Sequence, residues 1–187
     1  MIAQGTDEEE ELIMSMSLEN AIRTAIEFEN RVHQTYVKAE ARASDAAGKK
    51  VFGTLAREEL GHISYLESRL AEWQKTGHVA PTTLSTAVPA VQRIREGTAK
   101  LRSAVKGKGT HDYSVELELL QQALRAEQET SGFYQRMVAE LDAEGQALFA
   151  RFLEIEQGHV AIVQAEIDSV QGLGFWFDMQ EFRLEAE

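Results

Sequence analysis

The sequence predicts an all-α protein: four long helices arranged as two hairpins, joined by one long crossover. Three observations lead there. Apolar residues recur every three or four positions through four long stretches. The two prolines, Pro81 and Pro89, both fall in one intervening region, and most glycines lie between the periodic stretches.

The first helix is expected from about residue 17 to about residue 42, with Ser17 as N-cap, and the second from about 46 to 75, ending before Gly77. Their joint lies near Ser44 and Asp45. Residues 77–113 form the crossover; they hold both prolines and one short helical pattern at 91–105, bounded by Gly107 and Gly109. The third helix is expected over about 114–141 and the fourth from the N-cap Asp142 to about 170, before Gly172 and Gly174. The domain organisation that follows is an acidic N-terminal segment at 1–16, the bundle at 17–171 and an aromatic C-terminal tail at 172–187.

Composition removes several function classes. With 187 residues and 43% of them apolar, one domain with a full core is expected. No cysteine is present, so disulfides, zinc-thiolate sites and iron-sulfur clusters are excluded, and any metal must sit on Glu, Asp or His. The net charge of -12 argues against nucleic acid, which recruits clustered Lys and Arg; the one basic cluster, 100–108, is short and interrupted by glycine. No apolar run approaches the roughly 20 residues that a membrane span needs. The acidic run 7–11 stands where a secretory signal would place basic residues, so a soluble, cytoplasmic protein is expected.

Six polar residues interrupt the apolar stripes. Glu29 shares a face with Leu18, Ile22, Ala25, Val32 and Tyr36. Glu59 and His62 occupy the gap between Phe52 and Leu55 on one side and Leu66, Leu70 and Trp73 on the other. Glu127 lies among Leu117, Leu120, Tyr134, Met137 and Leu141, and Glu156 and His159 among Leu148, Phe152, Val163 and Ile167. An isolated carboxylate in an apolar interior either takes up a proton or costs several kcal/mol, so four of them require compensation, which metal ions supply.

Spacing agrees. Residues three apart on a helix are neighbours, so each Glu-x-x-His pair, Glu59/His62 and Glu156/His159, can offer a carboxylate and an imidazole to one centre. In an antiparallel hairpin, residues equidistant from the turn lie level. The midpoint of 29 and 59 is 44, and that of 127 and 156 lies between Leu141 and Asp142, both at expected joints. Glu29, Tyr36, Glu59 and His62 match Glu127, Tyr134, Glu156 and His159 at separations of 98, 98, 97 and 97, an internal repeat that implies a pseudo-twofold axis.

Glu29 to Tyr36, Glu59-Leu60-Gly61-His62, Glu127 to Tyr134 and Glu156-Gln157-Gly158-His159 together resemble the ferritin-like di-iron carboxylate family, nearest to rubrerythrin-type domains. The resemblance covers roughly 17–171, and two hairpins with one long crossover are the connectivity of ferritin-like bundles. It implies two iron ions, with manganese as the alternative. Glu59 and Glu156 would bridge them, Glu29 and His62 would complete one, and Glu127 and His159 the other. Tyr36 and Tyr134 would hydrogen-bond around the ligands.

The implied activity is reduction of peroxide or dioxygen, an oxidative-stress chemistry. The rivals are iron oxidation and storage, a dimanganese catalase-like enzyme, and oxygenation of an organic substrate. Two departures stand out. Thr130 occupies the place where rubrerythrins usually carry a further Glu, and the cysteine-ligated iron module is missing, so an external electron donor is needed. His33, His78 and His111 lack partner spacing and are read as surface residues. The tail cluster of Phe175, Trp176 and Phe177, with Met179, Phe182 and Leu184, is expected to pack on the bundle or on a second subunit of a homo-oligomer such as a dimer.

Overall fold

The computed structural model describes residues 16–80, 83–104, 111–174 and 176. Among these the chain is all-helical, with five helices and no strand: α1 (Leu18–Arg42), α2 (Ala46–Thr76), α3 (Val91–Ala104), α4 (Ser114–Glu140) and α5 (Ala143–Gly172). The acidic segment before residue 16, the basic stretch 105–110 and the tail apart from Trp176 lie outside the described residues.

Side-chain caps set the boundaries. Ser17 Oγ accepts from Asn20 N, Asp45 Oδ1 accepts from Ala47 N and Gly48 N, and Asp142 Oδ1 accepts from Gly145 N, each satisfying amides that a helix start leaves unpaired. α2 stops at Gly77, whose φ of 71° is the left-handed conformation that closes a helix, with its N–H donating to Trp73 O. α5 runs two residues past the expected 170 and ends as Gly174 turns with a φ of 76°.

Short joints make hairpins of α1 with α2 and of α4 with α5; α1 also packs along α4, and the crossover helix α3 lies on α5. A buried carboxylate not anticipated from the pattern ties the two hairpins together at one end. Glu116, in the first turn of α4, accepts from Ser44 N (2.8 Å), Ser44 Oγ (2.7 Å) and Asp45 N (3.1 Å) at the α1–α2 joint. Burial would raise its pKa, but these donors outweigh burial and hold it below the usual value.

α5 is buried on more than one face because the crossover covers it. A Cβ on Gly158 would sit 3.3 Å from Val88 Cγ1, whereas one on Gly61, its counterpart in the repeat, would meet nothing. Leu60, beside Gly61, is correspondingly exposed.

The apolar interior falls into two clusters. One gathers Val32, Tyr36, Phe52, Leu55, Leu120, Ile162 and Trp176; the other gathers Ile22, Ala25, Leu66, Phe133, Tyr134, Phe149 and Phe152. Along every long helix the six inward polar residues lie between members of the two clusters, so a polar layer divides the core. From the tail, Trp176 packs edge-on to Phe52 (5.7 Å between ring centroids) and against Tyr113 (6.4 Å). Its ring fills the space left by the missing side chain of Gly48, where a Cβ would lie 2.6 Å from Cζ2.

Candidate metal centre

Glu29, Glu59, His62, Glu127, Glu156 and His159 are all buried, none more than 1% exposed. α1 brings Glu29, α2 brings Glu59 and His62, α4 brings Glu127, and α5 brings Glu156 and His159. Ligand atoms of Glu59, His62, Glu156 and His159 lie within 4.8 Å of one another, a group that can hold a metal ion.

The imidazoles organise the remaining geometry. His62 Nδ1 is 3.2 Å from Glu29 Oε2, 3.2 Å from Glu59 Oε2 and 3.5 Å from Glu156 Oε1. His159 Nδ1 is 2.9 Å from Glu59 Oε1, 3.5 Å from Glu127 Oε1 and 3.9 Å from Glu156 Oε2. Glu29 is thus near one imidazole and Glu127 near the other, while Glu59 and Glu156 each offer one oxygen to each imidazole. The two rings stack, with centroids 5.3 Å apart and planes at 17°.

The donor set passes a test of fit to a cation. Both oxygens of Glu59 and of Glu156, Glu127 Oε2, His62 Nε2 and both ring nitrogens of His159 make no hydrogen bond although buried. His159 Nδ1 lies 2.9 Å from Glu59 Oε1 without forming one. His62 Nδ1 and Glu29 Oε2 are hydrogen-bonded at 3.2 Å, but buried polar atoms are nearly always paired, so the many atoms of the cluster left unpaired fit a shared positive partner. Glu, His and no thiolate is a set suited to iron or manganese.

In the protein alone, protons take the place of such a partner. Burial and the Glu59 charge push the Glu29 carboxyl up to about 8. Burial, with the charges of Glu29, Glu127 and Glu59, holds Glu156 well above the usual carboxylate range. Burial would raise Glu59 too, but the two adjacent imidazoliums outweigh it and Glu59 lies well below its usual value. Burial would lower the imidazoles, yet Glu59 and Glu29 hold His62 up at about 10, and Glu59 and Glu127 hold His159 well above its usual value.

The tyrosines cross the bundle. Tyr36 OH donates to Glu127 Oε1 and Tyr134 OH donates to Glu29 Oε1, so each belongs to one hairpin and holds a carboxylate of the other. Burial, with the carboxylate charges around them, raises both phenols well above their ordinary pKa, which keeps them as donors. Thr130 is buried and donates to Ala126 O of its own helix at 3.0 Å, so it adds no ligand where a further carboxylate was in question. Phe152 walls the site, edge-on to His62 at 5.8 Å.

Of the other histidines, His78 and His111 are exposed as expected. His33 corrects the reading: it is half-buried, with Nδ1 2.9 Å from Ala56 O, and so stitches α1 to α2 instead of facing water freely. Glu116 and Glu166 are buried carboxylates that the apolar stripes did not single out, since each helix was read for one inward face. Among the described residues, no helix is long and apolar enough to cross a membrane. Comparison with models of known families, with characterised proteins and with solved structures finds no match.

Proposed function

We propose that this chain is a ferritin-like di-iron carboxylate protein, nearest in kind to rubrerythrin-type domains, that reduces peroxide or dioxygen with electrons from a separate donor. The observation that supports it most is the sharing of Glu59 and Glu156 between two imidazoles, each of which has one further carboxylate, Glu29 or Glu127, near it alone. Two equivalent half-sites with two common carboxylates fit two ions better than one.

Glu29 and His62 would hold one ion, Glu127 and His159 the other, and Glu59 and Glu156 both. When bound, the pair of irons supplies two electrons to the oxidant. The chain supplies the rest. Tyr36 and Tyr134 each occupy one oxygen of Glu127 and Glu29, orienting these carboxylates by hydrogen bonds from outside the centre, as partners of metal ligands commonly do. Phe152 packs edge-on to His62, and Leu55 and Ile162, one helical turn from Glu59 and His159, are fully buried, so the layer lies away from bulk water. Protons held at Glu29, Glu156 and the two histidines are those a cation must displace.

Elemental analysis of the purified chain, beside Glu59→Ala and His159→Ala, tests the proposal. About two irons per chain in the parent and loss in both variants is the expected result. Retention of metal by both variants, or none in the parent, would refute it. Manganese in place of iron would move the chemistry to the dimanganese reading, because carboxylate and imidazole ligands discriminate little between the two.

A further inference from the structure

We propose that Tyr36, Phe52, Trp176 and Tyr113 form a path along which single electrons pass between the buried centre and the protein surface. The inference rests on the redox reading of the centre and assigns the route by which a separate donor reaches it.

The path is continuous ring to ring. At its inner end the Tyr36 hydroxyl is bonded to Glu127. The Tyr36 ring meets Phe52 at 6.5 Å, Phe52 meets Trp176 at 5.7 Å, and Trp176 meets Tyr113 at 6.4 Å between centroids. Tyr36, Phe52 and Trp176 are buried, whereas Tyr113 is half-exposed and lies against the exposed His111, with ring centroids 4.4 Å apart and planes tilted by 58°. Tyrosine and tryptophan are the side chains most readily oxidised by one electron. Phe52 is not, and serves as the contact that keeps the redox-active rings on either side of it close.

The surroundings distinguish a conduit from a resting place for charge. Trp176 Nε1 is buried and has no hydrogen-bond acceptor, so an oxidised indole keeps its proton and stays a strong oxidant that is quickly refilled. Tyr36 has an acceptor in place. Tyr36 gives its electron to the centre once peroxide or dioxygen has oxidised it, its hydroxyl proton passing to Glu127 Oε1, and the proton returns when Trp176 replaces the electron. Tyr113 gives an electron to Trp176 and its phenolic proton to water. A soluble one-electron donor, of the reduced-flavin or ferrous class, then restores Tyr113 and the proton is regained. One electron has moved inward and every residue of the path ends as it began. The repeat partner of Phe52 is Phe149, which packs on Tyr134 at 5.5 Å; on that side the ring contacts run through Phe133 and through Phe152 to Tyr65 at 5.6 Å, and Trp73 packs on the same apolar cluster, so only the Tyr36 side has a tryptophan ring in line.

The chain has two tryptophans, so Trp73→Phe leaves Trp176 as the sole source of a tryptophan radical. The first experiment is flash photo-oxidation of the full-length, metal-free Trp73→Phe protein by a soluble photosensitiser. A transient tryptophan-radical absorption should appear, and it should persist longer when Tyr113→Phe is added and longer when Tyr36→Phe is added, because each tyrosine refills the oxidised indole. An unchanged lifetime without Tyr113, or without Tyr36, would overturn the path.

The second follows oxidation of reduced flavin by the iron-loaded protein in the presence of peroxide. Trp176→Phe and Tyr113→Phe should slow it and Trp73→Phe should not; unchanged rates in the first two would overturn the path. A chain without metal would defeat the functional proposal alone, since the flash experiment uses none. A metal-bound chain whose radical ignores Tyr113 would defeat the path alone.

Discussion

Tyr36 donates its hydroxyl proton to Glu127, on the opposite hairpin, and not to Glu29 on its own helix. With the reciprocal bond from Tyr134 to Glu29, each half of the centre is held by a residue of the other. The cost of losing one bond should therefore fall across the bundle.

Tyr36→Phe is expected to weaken metal binding at the half that contains Glu127 and His159, and Tyr134→Phe at the half that contains Glu29 and His62. Removing a hydrogen-bonding partner of a metal ligand typically costs about 10- to 100-fold in affinity. Competitive titration with a chelator should resolve one weakened and one near-parental ion in each variant. Equal weakening of both ions would mean that the tyrosines act on the bundle as a whole.

Stability of the metal-free protein should fall as pH rises. Glu29 goes from an ordinary 4.5 to about 8 on folding, so between these values the folded state binds more protons than the unfolded and stability declines with pH. His62 goes from 6.5 to about 10, so its stabilising contribution is complete below 6.5 and is lost as pH rises through 10. Glu59 works oppositely, its contribution present above 4.5 and lost in acid. Thermal melts of chelator-treated protein should give a midpoint that drops steadily from about pH 5 to about pH 9.

Metal should reverse that trend, because cations compete with the protons at Glu29, Glu156, His62 and His159. Calorimetric titration near pH 7 in buffers of different ionisation enthalpy should show net proton release on binding, and the metal-induced rise in melting temperature should be larger at higher pH. Binding without proton release would show that these four groups are not the ligands.

The two equivalent glycines should respond differently to alanine. Gly61→Ala, at an open helix position, should stabilise by about 0.5–1 kcal/mol through helix propensity. Gly158→Ala places its methyl 3.3 Å from Val88 Cγ1, so the crossover must give way and the gain should be cancelled or reversed. Denaturant unfolding of the two variants checks it.

Glu116→Ala should destabilise by more than an exposed helix substitution, because it leaves Ser44 N, Ser44 Oγ and Asp45 N without their acceptor. About 0.5–1.5 kcal/mol is expected, since Ser44 is exposed and water can take the place of the lost acceptor. Metal content should be unchanged, which separates this buried carboxylate from those of the polar layer.

Much of this protein was legible in its sequence. Ser17, Asp45, Asp142 and Gly77 marked helix ends through local chemistry, because a cap acts within three or four residues of itself. The inward position of Glu29, Glu59, His62, Glu127, Glu156 and His159 followed from helical periodicity, which tells which side chains share a face. The repeat indicated that the two halves were alike. Periodicity does not say how far one helix is rotated or slid against another, nor which oxygen of a carboxylate points where. The crossing of Tyr36 to Glu127, the sharing of Glu59 between two imidazoles, the cover that Val88 places over Gly158 but not Gly61, and the seat of Trp176 on Gly48 were therefore decided only by tertiary packing. Each depends on atoms remote in the chain brought within a few ångströms, a distance that no pattern along a single helix encodes.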